Sequence, residues 1–400
     1  MQRFSTVVVG GGASGIVAAI SAARRGISVV LCEKMPQLGK KILASGNGRC
    51  NLLNDRLDES HYNEAAQPLA RSIFSKFGKS AIKNFFNDLG LATYSENGRI
   101  FPVTNQSSSV LKILESELKR LSIPLELGFD ISAISYGKDE FALTSKSGMK
   151  ICAKDVVIAC GGKTYPSFGA DGSAYKLAKH FGHTIVEPVP VAVPLVTKDA
   201  LCHGLQGQKI SATARCIIDG KACVEKRGDL LFTKYGLSGT AILDASEEAS
   251  IALNRHKKRH VTILIDMVPF MTQAALATEL ARRIKSGAAP EDMVAGILPN
   301  KFGPALKDLL KTGKPESIAG WLKEKQFAVT GTRGWNEADF TAGGVATNEI
   351  SETSLESKIR SGLYFAGEIL NVNGERGGYN LAWAWASGFI AGERAKTCAG

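Results

Sequence analysis

Residues 7–15 read Val7-Val8-Val9-Gly10-Gly11-Gly12-Ala13-Ser14-Gly15: an apolar strand empties into three glycines, and a helix opens behind them. This spacing constrains the fold more than any other feature, because each glycine has a mechanical task. Gly10 lets the chain leave the strand in a tight turn. Gly12 keeps a side chain out of the place where a pyrophosphate approaches the backbone, and Gly15 lets the helix lie close on the sheet. Ala13 and Ser14 open that helix, whose free N–H groups and positive dipole end suit a diphosphate. A second strand, Ser28-Val29-Val30-Leu31-Cys32, runs into Glu33, a carboxylate placed to accept hydrogen bonds from an adenosine ribose. Strand, helix 15–25, second strand and acid together predict a dinucleotide-binding βαβ unit, which the glycine turn alone would not.

The fingerprint does not separate FAD from NAD; the other end of the chain does. A strand, Gly362-Leu363-Tyr364-Phe365-Ala366, leads into Gly367-Glu368, and Gly374-Glu375-Arg376-Gly377-Gly378-Tyr379-Asn380 opens an apolar closing helix over 379–395. A helix N-terminus with two side-chain-free residues suits the N1–C2=O edge of a flavin, where reduction accumulates negative charge. A simple nicotinamide dehydrogenase needs no such return. Between the two ends, Asp155-Val156-Val157-Ile158-Ala159-Cys160-Gly161-Gly162 reads as a buried strand ending in paired glycines, where a second backbone pass reaches the cofactor. No second glycine fingerprint follows a strand and no Cys-x-x-Cys pair occurs, which argues against a two-domain disulfide reductase. Nor does any His/Cys grouping have metal-ligand spacing.

A chain of 400 residues with 44% hydrophobic and 22% charged residues has ordinary globular composition and room for two or three domains. Its net charge of +11 is spread along the sequence, permitting an RNA partner without requiring one. The run Arg255-His256-Lys257-Lys258-Arg259-His260 suits an RNA backbone or, equally, a solvated turn. Cys32, Cys152 and Cys160 lie in apolar strand-like runs and read as buried thiols of a reducing compartment. With a strand at its very start and no apolar run near the roughly 18 residues that span a bilayer, the chain is expected to be cytoplasmic, without membrane attachment. Helical patterns occur at 68–77, 80–89, 107–120, 272–285, 291–298, 303–311 and 315–325. Short β-branched runs fill about 188–268, with Asp219-Gly220 as a hairpin signal, and strand character returns at 327–329. This order predicts one nucleotide domain built from both chain ends (1–190 and 338–400), interrupted by a β domain (191–268 and 327–337) and a helical subdomain (269–326).

Further segments carry a resemblance. They are Gly39-Lys40-Lys41-Ile42-Leu43 with Ser45-Gly46-Asn47-Gly48-Arg49-Cys50-Asn51, Gly182-His183, Leu231-Phe232-Thr233 with Gly236-Leu237-Ser238-Gly239, and Thr341-Ala342-Gly343-Gly344-Val345. Together with the glycine clusters above, they make the chain similar over nearly its whole length to the YhiN/BaiN family of bacterial flavoproteins. The resemblance implies an α/β fold: a glutathione-reductase-type FAD-binding Rossmann domain with an inserted β-barrel-like domain and a small helical subdomain. It implies FAD contacts at Gly10, Gly12, Ala13, Ser14, Gly15, Glu33, Lys34, Gly39, Lys41, Gly46, Gly48, Arg49, Ala159, Gly161, Gly162, Gly367, Glu368, Gly377, Gly378, Tyr379 and Asn380, with NADH or NADPH as a transient donor. Members are associated with dihydrouridine formation in 23S ribosomal RNA, with reduction of unsaturated bile-acid intermediates and with aminoacetone oxidation. This chain has Lys234 where members usually carry His, and Thr240 where they carry Pro.

Two of these activities share one chemistry: hydride from a reduced flavin to an activated C=C bond, then a proton to the neighbouring carbon. The leading expectation is an NAD(P)H-linked reductase acting on a uridine in ribosomal RNA, against a small-molecule ene reductase or amine oxidase. Cys50 is the candidate acid, since a thiol near its ordinary value of about 8.5 is a serviceable donor. Arg49 is placed to stabilise a developing enolate oxygen or a phosphate, with Asn51 beside it. His183 reads as a satisfied domain histidine.

Overall fold

Val-rich runs that alternate with helices can bury both faces only inside a parallel sheet. In the computed structural model, which describes residues 2–394, β1 (Gln2–Val9) lies parallel between β2 (Val29–Glu33) and β3 (Lys150–Ile158), with α1 (Ala13–Arg24) crossing between β1 and β2. A further helix, α2 (Ser107–Arg120), falls where its apolar spacing predicts, and the strand Leu125–Leu127 extends the sheet beyond β2. Near the C-terminus β4 (Leu363–Phe365) joins β3 in parallel and is followed by α3 (Tyr379–Arg394). The sequence places the end of the closing helix at Ala395, which lies outside the described residues.

Register decides what the sheet presents. Val9 pairs with Cys32 on one side and Ile158 on the other, and Ile158 pairs with Phe365. The strands therefore end level, and Gly10, Glu33, Ala159 and Gly367 all emerge at one carboxyl edge, where open α/β sheets bind ligands.

The first and last described helices meet through small residues. A Cβ on Gly388 or Gly392 of α3 would overlap the backbone of Ser14 or Ala18 in α1, so the two helices pack backbone to backbone. Ser21 Oγ donates to the carbonyl of Phe389 across the same contact at 2.8 Å.

The chain forms two compact units, 1–188 with 340–400 and 189–339. In the second, six antiparallel strands (Leu195–Thr197, Lys209–Ile218, Lys226–Thr233, Gly236–Ser238, Val261–Asp266 and Lys325–Thr332) close into a barrel, because the second pairs with the fifth as well as the third. Asp219 and Gly220 both take positive φ, 49° and 82°, the two-residue turn that a twisted hairpin requires. Helices Gln273–Lys285 and Pro315–Lys323 share their apolar core with the barrel. Two expected helices differ. Residues 291–298 hold only the short turn Pro290–Asp292, since Gly296 is left-handed (φ 75°) and Pro299 disfavours helix at Leu298. Residues 303–311 divide into Phe302–Ala305 and Lys307–Leu310.

Candidate functional site

At the carboxyl edge, Gly10 has φ 110° and a Cβ there would lie 2.5 Å from the carbonyl oxygen of Ala159. A Cβ on Gly15 would overlap the Gly10 carbonyl. Gly12 differs: nothing lies within 4 Å of a Cβ placed on it, and it caps α1 without a side-chain bond. Gly12 thus borders open space at the start of α1, where no side chain caps the helix, the arrangement an anionic diphosphate needs.

The Glu33 carboxylate takes the N–H of Gly11 at 2.6 Å and of Met35 at 2.7 Å, which ties the end of β2 to the glycine turn. Gly39, left-handed at φ 67°, donates its N–H to the Gly11 carbonyl at 2.9 Å. Lys34 pairs with Asp171 at 2.9 Å. Burial alone would raise that carboxyl, but the hydroxyl and N–H of Ser173 together with Lys34 outweigh it and hold Asp171 at about 2.

The C-terminal return contributes a polar knot. Lys41 Nζ donates to Glu368 Oε2 at 2.6 Å and to Thr164 Oγ1 at 2.5 Å, while the Thr341 N–H donates to Glu368 Oε1 at 2.7 Å. Gly162 leaves room for this knot, since a Cβ there would fall 2.8 Å from Thr341 Cβ. Tyr175 is buried near Glu368, and its hydroxyl has no hydrogen-bond partner; burial, then the Glu368 charge, raises it. Thr164 and Tyr175 escaped sequence reasoning because nothing local distinguishes them from packing residues.

The turn before α3 is fixed by Asn380, whose amide brackets Gly374, accepting its N–H at 2.9 Å and donating to its carbonyl at 2.8 Å. Asn380 therefore organises the loop and spends its amide within it. A Cβ on Gly378 would lie 2.6 Å from the Leu53 carbonyl and 2.8 Å from Asn51 Oδ1. Asn51 Oδ1 is buried without a hydrogen-bond partner, an acceptor left for an incoming N–H.

Arg49 and Cys50 have other surroundings than the sequence suggests. Arg49 Nη2 donates to Tyr94 OH at 2.6 Å and Glu96 Oε2 at 2.8 Å, its Nε donates to Asn105 at 2.9 Å, and its guanidinium lies 4.1 Å from the Phe101 ring centre. The group braces the Ser45–Asn51 loop against the hairpin 93–102. Cys50 is wholly buried, and desolvation pushes its thiol to about 12. That overturns the premise of a donor near its ordinary value. Gly46, Asn47, Gly48 and Cys50 are all left-handed, so this loop is wound tightly.

Sequence reasoning also passed over His61. Its ring stacks on Tyr379 with centres 4.3 Å apart, and its Nδ1 lies 2.9 Å from Glu375 Oε2. His183 is enclosed, with Nδ1 3.0 Å from Glu349 and Nε2 2.7 Å from Ser357. His256 through His260 are exposed, and Lys258 is paired with Asp219 at 2.8 Å. Among the described residues no group of His, Cys, Asp and Glu could hold a metal, and no helix is long and apolar enough to cross a membrane.

A level-ended parallel sheet, an uncapped glycine turn and a returning C-terminal helix define a Rossmann-type dinucleotide-binding protein. The chain belongs to the HI0933-like Rossmann family, whose domain matches residues 4–394, a family of flavin-dependent oxidoreductases. It is 36% identical to a 3-dehydro-bile acid delta(4,6)-reductase from Clostridium scindens, over 97% of this chain and 98% of that one. It is 27% identical to a ribosomal RNA dihydrouridine synthase from Escherichia coli, over 98% of each. Among solved structures, 3-ketosteroid delta1-dehydrogenase from Sterolibacterium denitrificans aligns over 99% of both chains with a TM-score of 0.51 at 12% identity, a likeness of fold.

Proposed function

We propose that this protein is an FAD-dependent reductase of a C=C bond conjugated to a carbonyl, drawing on NADH or NADPH and acting on a small alicyclic enone. The observation that carries the reading is the meeting of the Gly10–Gly15 turn and the Gly367-Glu368 turn at one carboxyl edge, with open space at Gly12 and an orphaned acceptor at Asn51. The uncapped first turn of α1 and Gly12 would hold the diphosphate, and Glu33 the adenosine ribose. Gly377, Gly378 and Asn51 Oδ1 would meet the pyrimidine edge of the ring system. When bound, FAD supplies the hydride. The chain's own tasks are to hold the enone, to stabilise charge on its carbonyl oxygen and to deliver one proton to the α-carbon.

The substrate class rests on the full-length relative at 36% identity, whose named substrate is a 3-oxo compound with conjugated double bonds. The second reading, reduction of a uridine in ribosomal RNA, draws on the full-length relatives at 27% and on the net charge of +11. Uridine too carries its double bond conjugated to a carbonyl, so the chemistry demanded of the site is the same. Purified protein, reconstituted with FAD and reduced anaerobically by NADH or NADPH, is mixed with a 3-oxo-4-ene steroid or with a ribosomal RNA fragment. Reoxidation of the flavin by the steroid with formation of the saturated ketone supports the first reading. Dihydrouridine in the fragment with an inert steroid would replace it by the second.

A further inference from the structure

Any such reductase needs a proton donor, and Cys50, the side chain first expected to serve, is enclosed. Arg49, expected to steady an enolate oxygen or a phosphate, is clasped by Glu96, Tyr94 and Asn105. We propose that His61 is the catalytic acid, held by Glu375 and stacked on Tyr379, and that it delivers the proton to the α-carbon of the enone. The inference rests on the reductase reading above and goes beyond it by naming the donor.

Three backbone-anchored contacts, one of His61 and two of its neighbour Tyr62, join this turn to the segment around Gly377-Gly378. Tyr62 forms an antiparallel bridge with Gly374, the Glu375 N–H donates to the His61 carbonyl at 2.9 Å, and the Tyr62 hydroxyl donates to the Tyr379 carbonyl at 2.7 Å. On this frame the imidazole lies flat against the Tyr379 ring, with Nδ1 2.9 Å from Glu375 and Nε2 3.9 Å from Asp58. The charged and titratable groups around it are Asp58 on its own turn, Glu375 and Tyr379 on the loop, and Arg56 and Arg99 acting on the same Tyr379. The side chain remains 24% exposed, so a ligand can reach it, as none can reach Cys50. A carboxylate at Nδ1 accepts the Nδ1–H and fixes the ring, so the acid form presents Nε2–H as the donor.

The step balances. Hydride arrival at the β-carbon moves the π pair onto the carbonyl oxygen as an enolate. As that pair returns, the α-carbon forms its C–H bond while the Nε2–H bond of His61 breaks, leaving neutral imidazole. Water then restores the proton. The substrate gains two electrons, both carried by the hydride and none by His61 or Glu375, and the two hydrogens come from the reduced cofactor and, through His61, from solvent.

The test uses FAD-loaded protein and two readouts. In the first, diethyl pyrocarbonate labels surface histidines without nicotinamide present, and mass spectrometry follows the His61 adduct with and without saturating steroid enone. Protection of His61 is expected; labelling unchanged by bound enone would overturn the proposal. In the second, His61→Gln should keep its FAD content and its rate of reduction by NADH or NADPH. Its single-turnover reoxidation by the enone should slow by about 100-fold or more, in line with loss of a general acid. The wild-type rate should fall on the alkaline side, and the variant should lose that dependence. Glu375→Gln, which removes only the orienting charge, should slow the same step by about 10-fold. An unslowed His61→Gln that keeps the alkaline decline sinks His61 alone. Wild-type protein reoxidised by neither enone nor RNA sinks the reductase reading and the proposal together.

Discussion

Cys50 lies at φ 57° in a loop where Gly46, Asn47 and Gly48 are left-handed too, and its side chain is fully enclosed. Shape rather than reactivity then governs this position. Cys50→Ser should keep turnover within a few-fold, since the thiol already sits beside the Ser45 hydroxyl and a slightly smaller hydroxyl fits there. Cys50→Val should cost about 1–3 kcal/mol in urea denaturation, because a β-branched residue resists a left-handed backbone. The thiol also sets a pH dependence. Burial raises Cys32, Cys50 and Cys160 from 9.0 to about 12. Above pH 9 the unfolded chain releases these protons while the folded one retains them, so stability falls as pH rises from about 9 towards 12, by up to about 1.4 kcal/mol per pH unit per thiol. Denaturation midpoints across this range should fall less steeply in Cys50→Ala than in the wild type. A departure from the family pattern also has a local account. Thr240 opens the helix Thr240–Ser250, a position where Pro is at home, and its hydroxyl accepts the Asp229 N–H at 2.8 Å in space left by Gly228.

The glycines of α1 and α3 separate binding from folding at the scale of elements. Gly12 has an ordinary φ of −87° and empty surroundings, so Gly12→Ala should leave stability within about 0.5 kcal/mol of the wild type. The added methyl occupies the space kept for the diphosphate, and FAD affinity of the apoprotein, followed by fluorescence titration, should drop at least 10-fold. Gly388→Ala presses a methyl into the backbone of Ser14 and should lose stability and affinity together, about 1–3 kcal/mol by thermal or urea unfolding. Both glycines are equally plain in the sequence, yet only the first announces its purpose. Gly10, Gly12 and Gly15 follow a strand at fixed spacing, whereas Gly388 and Gly392 sit in an apolar helix whose partner lies some 370 residues away. The same holds for polar groups. Glu33 is legible because it ends a strand and Glu368 because it follows one through a glycine, but the Lys41–Glu368 contact and the His61–Glu375 contact join segments more than 300 residues apart. Helix limits at 291–298 failed for a nearer reason, since apolar periodicity spoke louder than Gly296 and Pro299.

For the whole molecule, the net charge of +11 is the property that makes RNA a rival to a small enone, and salt separates the two. Binding of single-stranded RNA releases counterions, with a slope of about −0.7 per neutralised phosphate in log affinity against log salt. Roughly three phosphate contacts would therefore weaken an RNA substrate by about 20-fold between about 50 and 200 mM salt. An uncharged steroid enone releases none, so its KM should stay within about 2-fold over the same range. The basic segment is exposed over 256–260, although Asp219 already pairs with Lys258. Replacing Lys257 and Arg259 by Ala adds a control remote in sequence from the cofactor turns. On the enone reading the variant should match the wild type in KM and in its indifference to salt. On the RNA reading it should bind the fragment more weakly and with a shallower slope. A steep slope for RNA turnover that the double variant flattens would move the assignment from a small ketone to the ribosome, with the proton chemistry at the double bond unchanged.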